Sequence, residues 1–249
     1  MVKQGVLGKP RVEAIFALHA FPNLPAGQLG YTVGGAFASV DRFRVVISGK
    51  QVHAAYPWKG IDPIVAAAHV ITALQTIPSR VIDTRKPVVV SVGIIQGGTR
   101  WNIIPGQVVL EGTVRAHSAA VRKKARETFK HLVSTTAKAH GGRASITYQA
   151  MAPVTWNAPA LAHKMVPTLT RSVGAKKVKV LKPTMGGEDF AFYAQKIPGF
   201  YIRLGVRNAK TGAVESLHTP GFKIDERALE IGVRTMASLA VDYLLHPKK

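Results

Sequence analysis

Apolar and polar positions along the chain switch between two periods, and the switches mark out its elements. Residues 12–18 form an apolar run of the length of a buried strand, and Phe43, Val45 and Ile47 alternate with Arg44, Val46 and Ser48 as a half-exposed strand does. Asp62 before Pro63 predicts a helix start, an N-cap followed by the position where proline's missing N–H is harmless. Ile61, Ile64, Ala68, Ile71 and Leu74 then recur at helical spacing, as a buried stripe would.

Residues 88–95 and 108–114 read as strands, joined by a loop holding Gly97-Gly98, Asn102 and Pro105. Ser118 is placed to cap a long basic helix with Val121, Ala125, Phe129, Leu132 and Thr136 on one stripe, closed by Gly141-Gly142. Residues 40–150 thus read strand, helix, strand, strand, helix, strand, the split βαβ order of a ferredoxin-like sandwich. That block interrupts a chain which resumes with a helix over 158–173, a loop over 183–189 and a strand over 201–206. A final helix follows, capped by Asp225, with Leu229, Val233, Met236, Ala240 and Tyr243 expected to face inward. The fold class is α/β with an inserted α+β unit, and no internal repeat is present.

Composition narrows the partners. The 249 residues are 47% hydrophobic and 19% charged, enough apolar surface to order the chain. A formal charge of +21 brings acidic partners into view. Yet residues 39–152 hold 16 Lys+Arg against 5 Asp+Glu and the rest 18 against 8, so the excess is spread and not focused. The densest clusters, Arg122-Lys123-Lys124 with Arg126, and Lys176-Lys177 with Lys179 and Lys182, lack interleaved aromatics for base stacking, which argues against a nucleic-acid site. The absence of cysteine excludes disulfides, iron–sulfur clusters and thiolate zinc sites. Residues 1–11 make a poor signal peptide. Residues 14–40, free of Asp, Glu, Lys and Arg, contain too many prolines, glycines and amides for a membrane span.

Five of the nine histidines have ordinary places: His69, His131, His140 and His163 where helices are expected, and His246 near the end. His19 and His218 differ: each follows a leucine at a strand end or turn, where an α/β sheet presents side chains to its ligand crevice. Two histidines alone are half a metal site.

The ordered blocks Ala14-Ile15-Phe16-Ala17-Leu18-His19, Val52-His53-Ala54-Ala55, Gly60-Ile61-Asp62-Pro63, Gly97-Gly98 with Asn102-Ile103-Ile104-Pro105, Gly112-Thr113-Val114-Arg115, Pro183-Thr184-Met185-Gly186-Gly187-Glu188-Asp189-Phe190 and Leu217-His218-Thr219-Pro220 span essentially the whole chain. Together they resemble the dinuclear metal-dependent amidohydrolases of the aminoacylase and carboxypeptidase family. The branch resembled is that of hippurate hydrolases, N-acyl-amino-acid amidohydrolases and plant auxin-conjugate hydrolases.

The resemblance implies a metallopeptidase-like two-domain fold, with catalytic-domain parts at 1–39 and 151–249 and a lid and dimerisation domain at 40–150. It implies a site with two divalent ions, of Mn, Zn, Co or Ni, with His19 and His218 as ligands. His53 would act from the lid as a donor to the scissile carbonyl. Asn102 and Arg115 would grip the substrate carboxylate, with Gly186, Gly187 and Glu188 lining the pocket. Taken singly, Asn102 reads equally as a turn residue, Arg115 as a cross-strand partner of Glu111, and the glycine pair as a turn. Gln51-Val52 replaces the Gly-Gly that usually precedes His53.

The family's Cys-Gly-His-Asp segment and Glu-Glu pair, which carry further ligands and the general base, have no counterpart in these 249 residues. Glu13 and Glu188 have no spacing that makes them replacements. The expectation is therefore an N-terminally truncated chain, inactive alone, with the outer surfaces of residues 12–18 and of the last helix uncovered. Its parent would hydrolyse the amide bond of small N-acyl amino acids as a homodimer, in the cytoplasm or, with a different N-terminus, in the periplasm or outside the cell. The reading from another class is a non-catalytic dimerising protein with a basic surface for anionic partners.

Overall fold

The computed structural model of the chain describes residues 1–246, so residues 247–249 of the expected C-terminal segment lie outside it. The chain divides into two compact units. One comprises Met1–Phe37, Thr155–Thr184 and the residues from Glu188 on, and the other Ala38–Val154 with Met185–Gly187.

The first unit opens with β1 (Ile15–Pro25), β2 (Leu29–Tyr31) and β3 (Gly34–Phe37). β1 starts later than the apolar pattern because pairing begins only where the Ile15 amide donates to Pro198 O.

The second unit begins with β4 (Ser39–Ser48), in which Phe43, Val45 and Ile47 are buried and Arg44 and Ser48 exposed. After β5 (Val52–His53) comes α1 (Pro63–Leu74), started by Asp62, whose Oδ1 accepts from the amides of Ile64 and Val65 at 2.8 and 3.3 Å. The buried stripe of α1 is Ala66, Ala67, Val70 and Leu74; Ile64 and Ala68, expected inside, are exposed. A helix apolar almost all round offers several stripes at the same period, and the one with two alanines is the one that packs into the core. Pro63–Val81 is long and apolar enough to cross a membrane by composition alone. Ala66, Ala67, Val70, Leu74 and Ile77 nevertheless lie in the core of this unit, as in a core helix.

β6 (Val88–Gly97), β7 (Ile103–Ile104), β8 (Gln107–Ala116), α2 (Ala119–Ala139) and β9 (Arg143–Ala152) complete the unit. The sheet order β6-β8-β4-β9 is antiparallel throughout, the arrangement of a ferredoxin-like sandwich. Ser118 Oγ caps α2 by accepting from the Val121 amide at 3.2 Å. Its stripe continues from Phe129 to Val133 and Ala137, where the sequence pattern pointed to Leu132 and Thr136. A four-residue step drifts by about 40° each time, so the stripe winds with the twisted sheet beneath it. Phe43 and Phe129 meet at 4.5 Å between ring centroids at the centre of this core. Beside them Asp41, 1% exposed, is held by Arg122 and by the Tyr148 hydroxyl at 3.0 Å.

The chain returns to the first unit with β10 (Thr155–Asn157), α3 (Pro159–Val173), β11 (Val178–Val180), α4 (Ala191–Ala194), β12 (Gly199–Arg207) and α5 (Arg227–Leu245). The main sheet has the order β1-β12-β2-β11, with β1 parallel to β12, and β10 pairs with β3 in a second small sheet. β1 is an edge strand, paired on one side only among the described residues.

Alternation along β12 sends Phe200, Ile202 and Leu204 into a core shared with Phe16 and Leu18 of β1, Met165 and Leu169 of α3, and Ala228 and Leu239 of α5. Gly232 of α5 lies close on the sheet, since a Cβ there would stand 3.1 Å from the Leu18 side chain. The face of α5 is corrected in part: Met236 and Tyr243 pack against the core as expected, but the fully buried residues are Ala228, Gly232, Thr235 and Leu239, whereas Ala240 is exposed and Leu229 and Val233 are 54% and 72% exposed. Small residues let the helix lie close on the sheet, and the bulkier stripe is turned outward. The N-cap of the helix is Glu226, without a side-chain cap bond, and Asp225 one residue earlier accepts from the amide and guanidinium of Arg227 and from Asn208. Those bonds, Arg227's first, keep its carboxyl well below the usual carboxylate range.

Candidate active site

The face of the β1–β12 pair opposite the core carries polar chemistry. The parallel register sets Ala17 beside Tyr201 and His19 beside Arg203. Side chains two apart on a strand share a face, so His19, Tyr201 and Arg203 come together there. His19 is half-buried, with Nδ1 2.7 Å from Ala20 O. With the proton on Nδ1 donated to that carbonyl, Nε2 keeps a free lone pair, the arrangement of a metal-ligating imidazole.

Tyr201 donates its hydroxyl to Glu188 Oε2 at 2.7 Å, and its ring lies 6.2 Å from that of His19. Burial, then the Glu188 carboxylate, push the phenol's pKa up, so it remains a donor. Asn157, fully buried, fixes the strand behind it: Oδ1 accepts from the Tyr201 amide at 2.7 Å, and Nδ2 donates to Tyr201 O and Thr32 O.

Arg203 is only 3% exposed. Its guanidinium lies 4.9 and 4.6 Å from the ring centroids of Phe21 and Phe37, and Nη2 donates to Ala36 O at 3.2 Å. Removing a cation from water costs several kcal/mol even after relaxation. An aromatic contact returns about 0.5–2 kcal/mol and a hydrogen bond about 1 kcal/mol. No carboxylate among the described residues forms an ion pair with it.

His218 occupies an exposed turn with φ +63°, the one non-glycine residue with positive φ among the described residues. Such a backbone is uncommon and costs of order 1 kcal/mol or more. Among the described residues no three His, Cys, Asp or Glu side chains converge as metal ligands. A divalent centre takes three or four such donors, so the residues present do not by themselves fit a two-metal centre.

In the second unit the β5–β7 ladder pairs His53 with Ile103, and the Ala54 amide donates to Asn102 O at 3.0 Å. This brings His53 and Asn102 together. The Ala55 amide donates to His53 Nδ1 at 3.1 Å. Nδ1 is therefore the acceptor, and the neutral ring carries its proton on Nε2, pointing that nitrogen's N–H outward as a donor. A cavity of about 490 Å³ opens alongside, lined by Gln51, Gln96, Gly97, Gly98, Thr99 and Ile103 among others. A larger one, about 790 Å³, lies at Thr211 and residues 222–227 and contains none of the candidate residues.

Arg115 on β8 donates from Nη1 to Met185 O at 2.9 Å. Glu111 is not its partner: that carboxylate is taken by Arg42 at 2.6 Å and Arg44 at 3.4 Å, and Arg42's bond holds its pKa low. Gly186 O accepts from the Ala38 amide, and a Cβ on Gly187 would meet Val40 Cγ2 at 2.4 Å. Gly187 is thus required by packing in this unit. Sequence reasoning missed Tyr201 and Arg203. The signal was available in the alternation of residues 200–204, where a tyrosine and an arginine take the places opposite three apolar core residues.

A part-parallel α/β sheet with a histidine midway along its edge strand, and not at the strand end its sequence suggested, occurs in one chain with a ferredoxin-like α+β unit, a metallopeptidase-like fold. The chain belongs to the peptidase family M20/M25/M40, whose model matches residues 1–242. It is 38% identical over 241 residues to an N-acetylcysteine deacetylase of Bacillus subtilis, covering 97% of this chain and 61% of that protein. It is 35% identical over 253 residues to the IAA-amino acid hydrolase ILR1-like 4 of Arabidopsis thaliana, covering 100% of this chain and 57% of that one. A solved Bacillus subtilis structure, a dinuclear metal binding peptidase of the M20 family, superposes with a TM-score of 0.81 at 34% identity. The match covers 98% of this chain and 60% of that one. The chain thus spans about three fifths of the length of these relatives.

Proposed function

We propose that the whole protein hydrolyses the amide bond of small N-acyl amino acids, releasing a carboxylic acid and an amino acid, with two divalent metal ions. The similarity to a deacetylase of an N-acyl amino acid along 97% of the chain carries this reading. The positions of the candidate groups support it. His19 and His218 are taken as two of the metal ligands. His53, with its Nε2 proton fixed by the Ala55 amide, is taken as the hydrogen-bond donor to the scissile carbonyl. Asn102 and Arg115 are taken as the carboxylate grip, and the Gly186-Gly187-Glu188 turn as pocket wall. Residues 38–154 are taken as lid and dimerisation unit. Held in part by His19 and His218 in the whole protein, the ions would supply Lewis acidity, while the chain's own groups bind and orient.

The test compares two polypeptides on N-acetyl and N-benzoyl amino acids with added Mn²⁺, Zn²⁺ or Co²⁺. The 249 residues alone are expected to show no appreciable turnover, since among the described residues no three ligand side chains converge and Glu188 is engaged by the Tyr201 hydroxyl; general-base help alone is typically worth ~10²–10⁴ in rate. A polypeptide of the relatives' full length containing them is expected to be active and to lose activity in His19→Ala and in His218→Ala. No turnover by the longer protein across the panel, or turnover indifferent to both substitutions, would overturn the reading.

A further inference from the structure

Arg203 is the anomaly of the first unit: a buried cation with no acidic partner among the described residues. Buried charges are as a rule paired. Of its five N–H donors one is used, on Ala36 O, while Phe21 and Phe37 offer ring surface and no acceptor oxygens. Glu188, the acid bonded into the cluster, is engaged by Tyr201. Nor are the unused N–H groups sealed off, because the fully buried unpartnered side-chain atoms among the described residues are those of His117, Thr155 and Thr235.

We propose that Arg203 is a carboxylate-binding site, taking a small carboxylic acid on the sheet face that bears His19. A carboxylate matches the two parallel N–H groups on an edge of the guanidinium, the strongest pairing that group makes. The aromatic walls select a small, singly charged, planar anion over a bulky hydrated one. An acid of this class is what amide cleavage releases at the acyl carbon. That link rests on the function proposed above, whereas the binding itself does not.

The test uses the 249-residue chain, without metal, labelled with ¹⁵N. The Nε–Hε signal of Arg203 is assigned by its loss in Arg203→Lys, and sodium acetate, sodium benzoate, benzamide and sodium chloride are titrated in. The expected result is a saturable shift of that signal with both carboxylates and none with benzamide or chloride. Carboxylates are also expected to raise the melting temperature, and Arg203→Met to weaken binding by at least about tenfold. If Arg203→Met does not fold, the wild-type titration decides by itself. A signal unmoved by either acid, or moved equally by benzamide or chloride, overturns the proposal. Because no turnover is measured, failure here leaves the hydrolase reading intact, and an inactive longer protein leaves this site intact.

Discussion

His117 precedes the cap of α2 with its Nδ1 buried and unpartnered, and burial pulls its pKa below the ordinary histidine value. The unfolded imidazole titrates at about 6.5. Below that pH the unfolded chain binds the proton and the folded chain resists it, so stability rises with pH through this window. The contribution is present above about pH 6.5 and lost as the pH falls. His117→Gln is expected to flatten the melting temperature between about pH 5 and 7, and an unaltered slope would assign the effect to other groups. Arg115 makes a second case. In an active full-length protein, Arg115→Lys is expected to weaken carboxylate-bearing substrates much more than their amides, because a point charge replaces a planar fork. Equal losses on the two would remove Arg115 from carboxylate recognition and leave it only its bond to Met185 O.

Helix positions were legible where a local signal set them and obscure where the neighbours did. The Asp62-Pro63 and Ser118 starts are written in a few adjacent residues, and both caps form. The buried faces of α1 and α5 are not, because each helix carries apolar residues on more than one stripe and the surface it meets comes from distant sequence. The difference is measurable in urea. Phe129→Ala, at the centre of the second unit, is expected to cost ~3–5 kcal/mol. Val233→Gln and Leu244→Gln, on the exposed apolar stripe of α5, are expected to change the stability of this chain by less than about 0.5 kcal/mol. A large loss at Val233 would show that this face is packed after all.

The two units have separate cores, one under the four-stranded antiparallel sheet and one between the mixed sheet and α3 and α5. The first is built entirely from residues 43–137 with partners up to Tyr148, so residues 38–154 hold a complete sandwich. The second leaves β1 as an edge and the outer stripe of α5 uncovered among the described residues. We expect the chain to form a homodimer through residues 38–154. Light scattering over micromolar concentrations checks this, and a strictly monomeric mass would exclude it.

Everything local was decided by the sequence itself: strand alternation at Phe43, Val45 and Ile47, helix starts at Asp62 and Ser118, the split βαβ order, and the ordered motif blocks that carry the family resemblance. Each depends on residues within a few positions of one another, or on element order alone. Tertiary structure decided what depends on meeting a distant partner. It gave Glu111 to Arg42 and Arg44 and left Arg115 for Met185 O, seated Gly187 against Val40, and set the tyrosine and arginine of β12 beside His19. The physical reason is that a side chain's partners are fixed by sheet register and packing, which pair residues such as His19 and Arg203 across more than half the length of the chain.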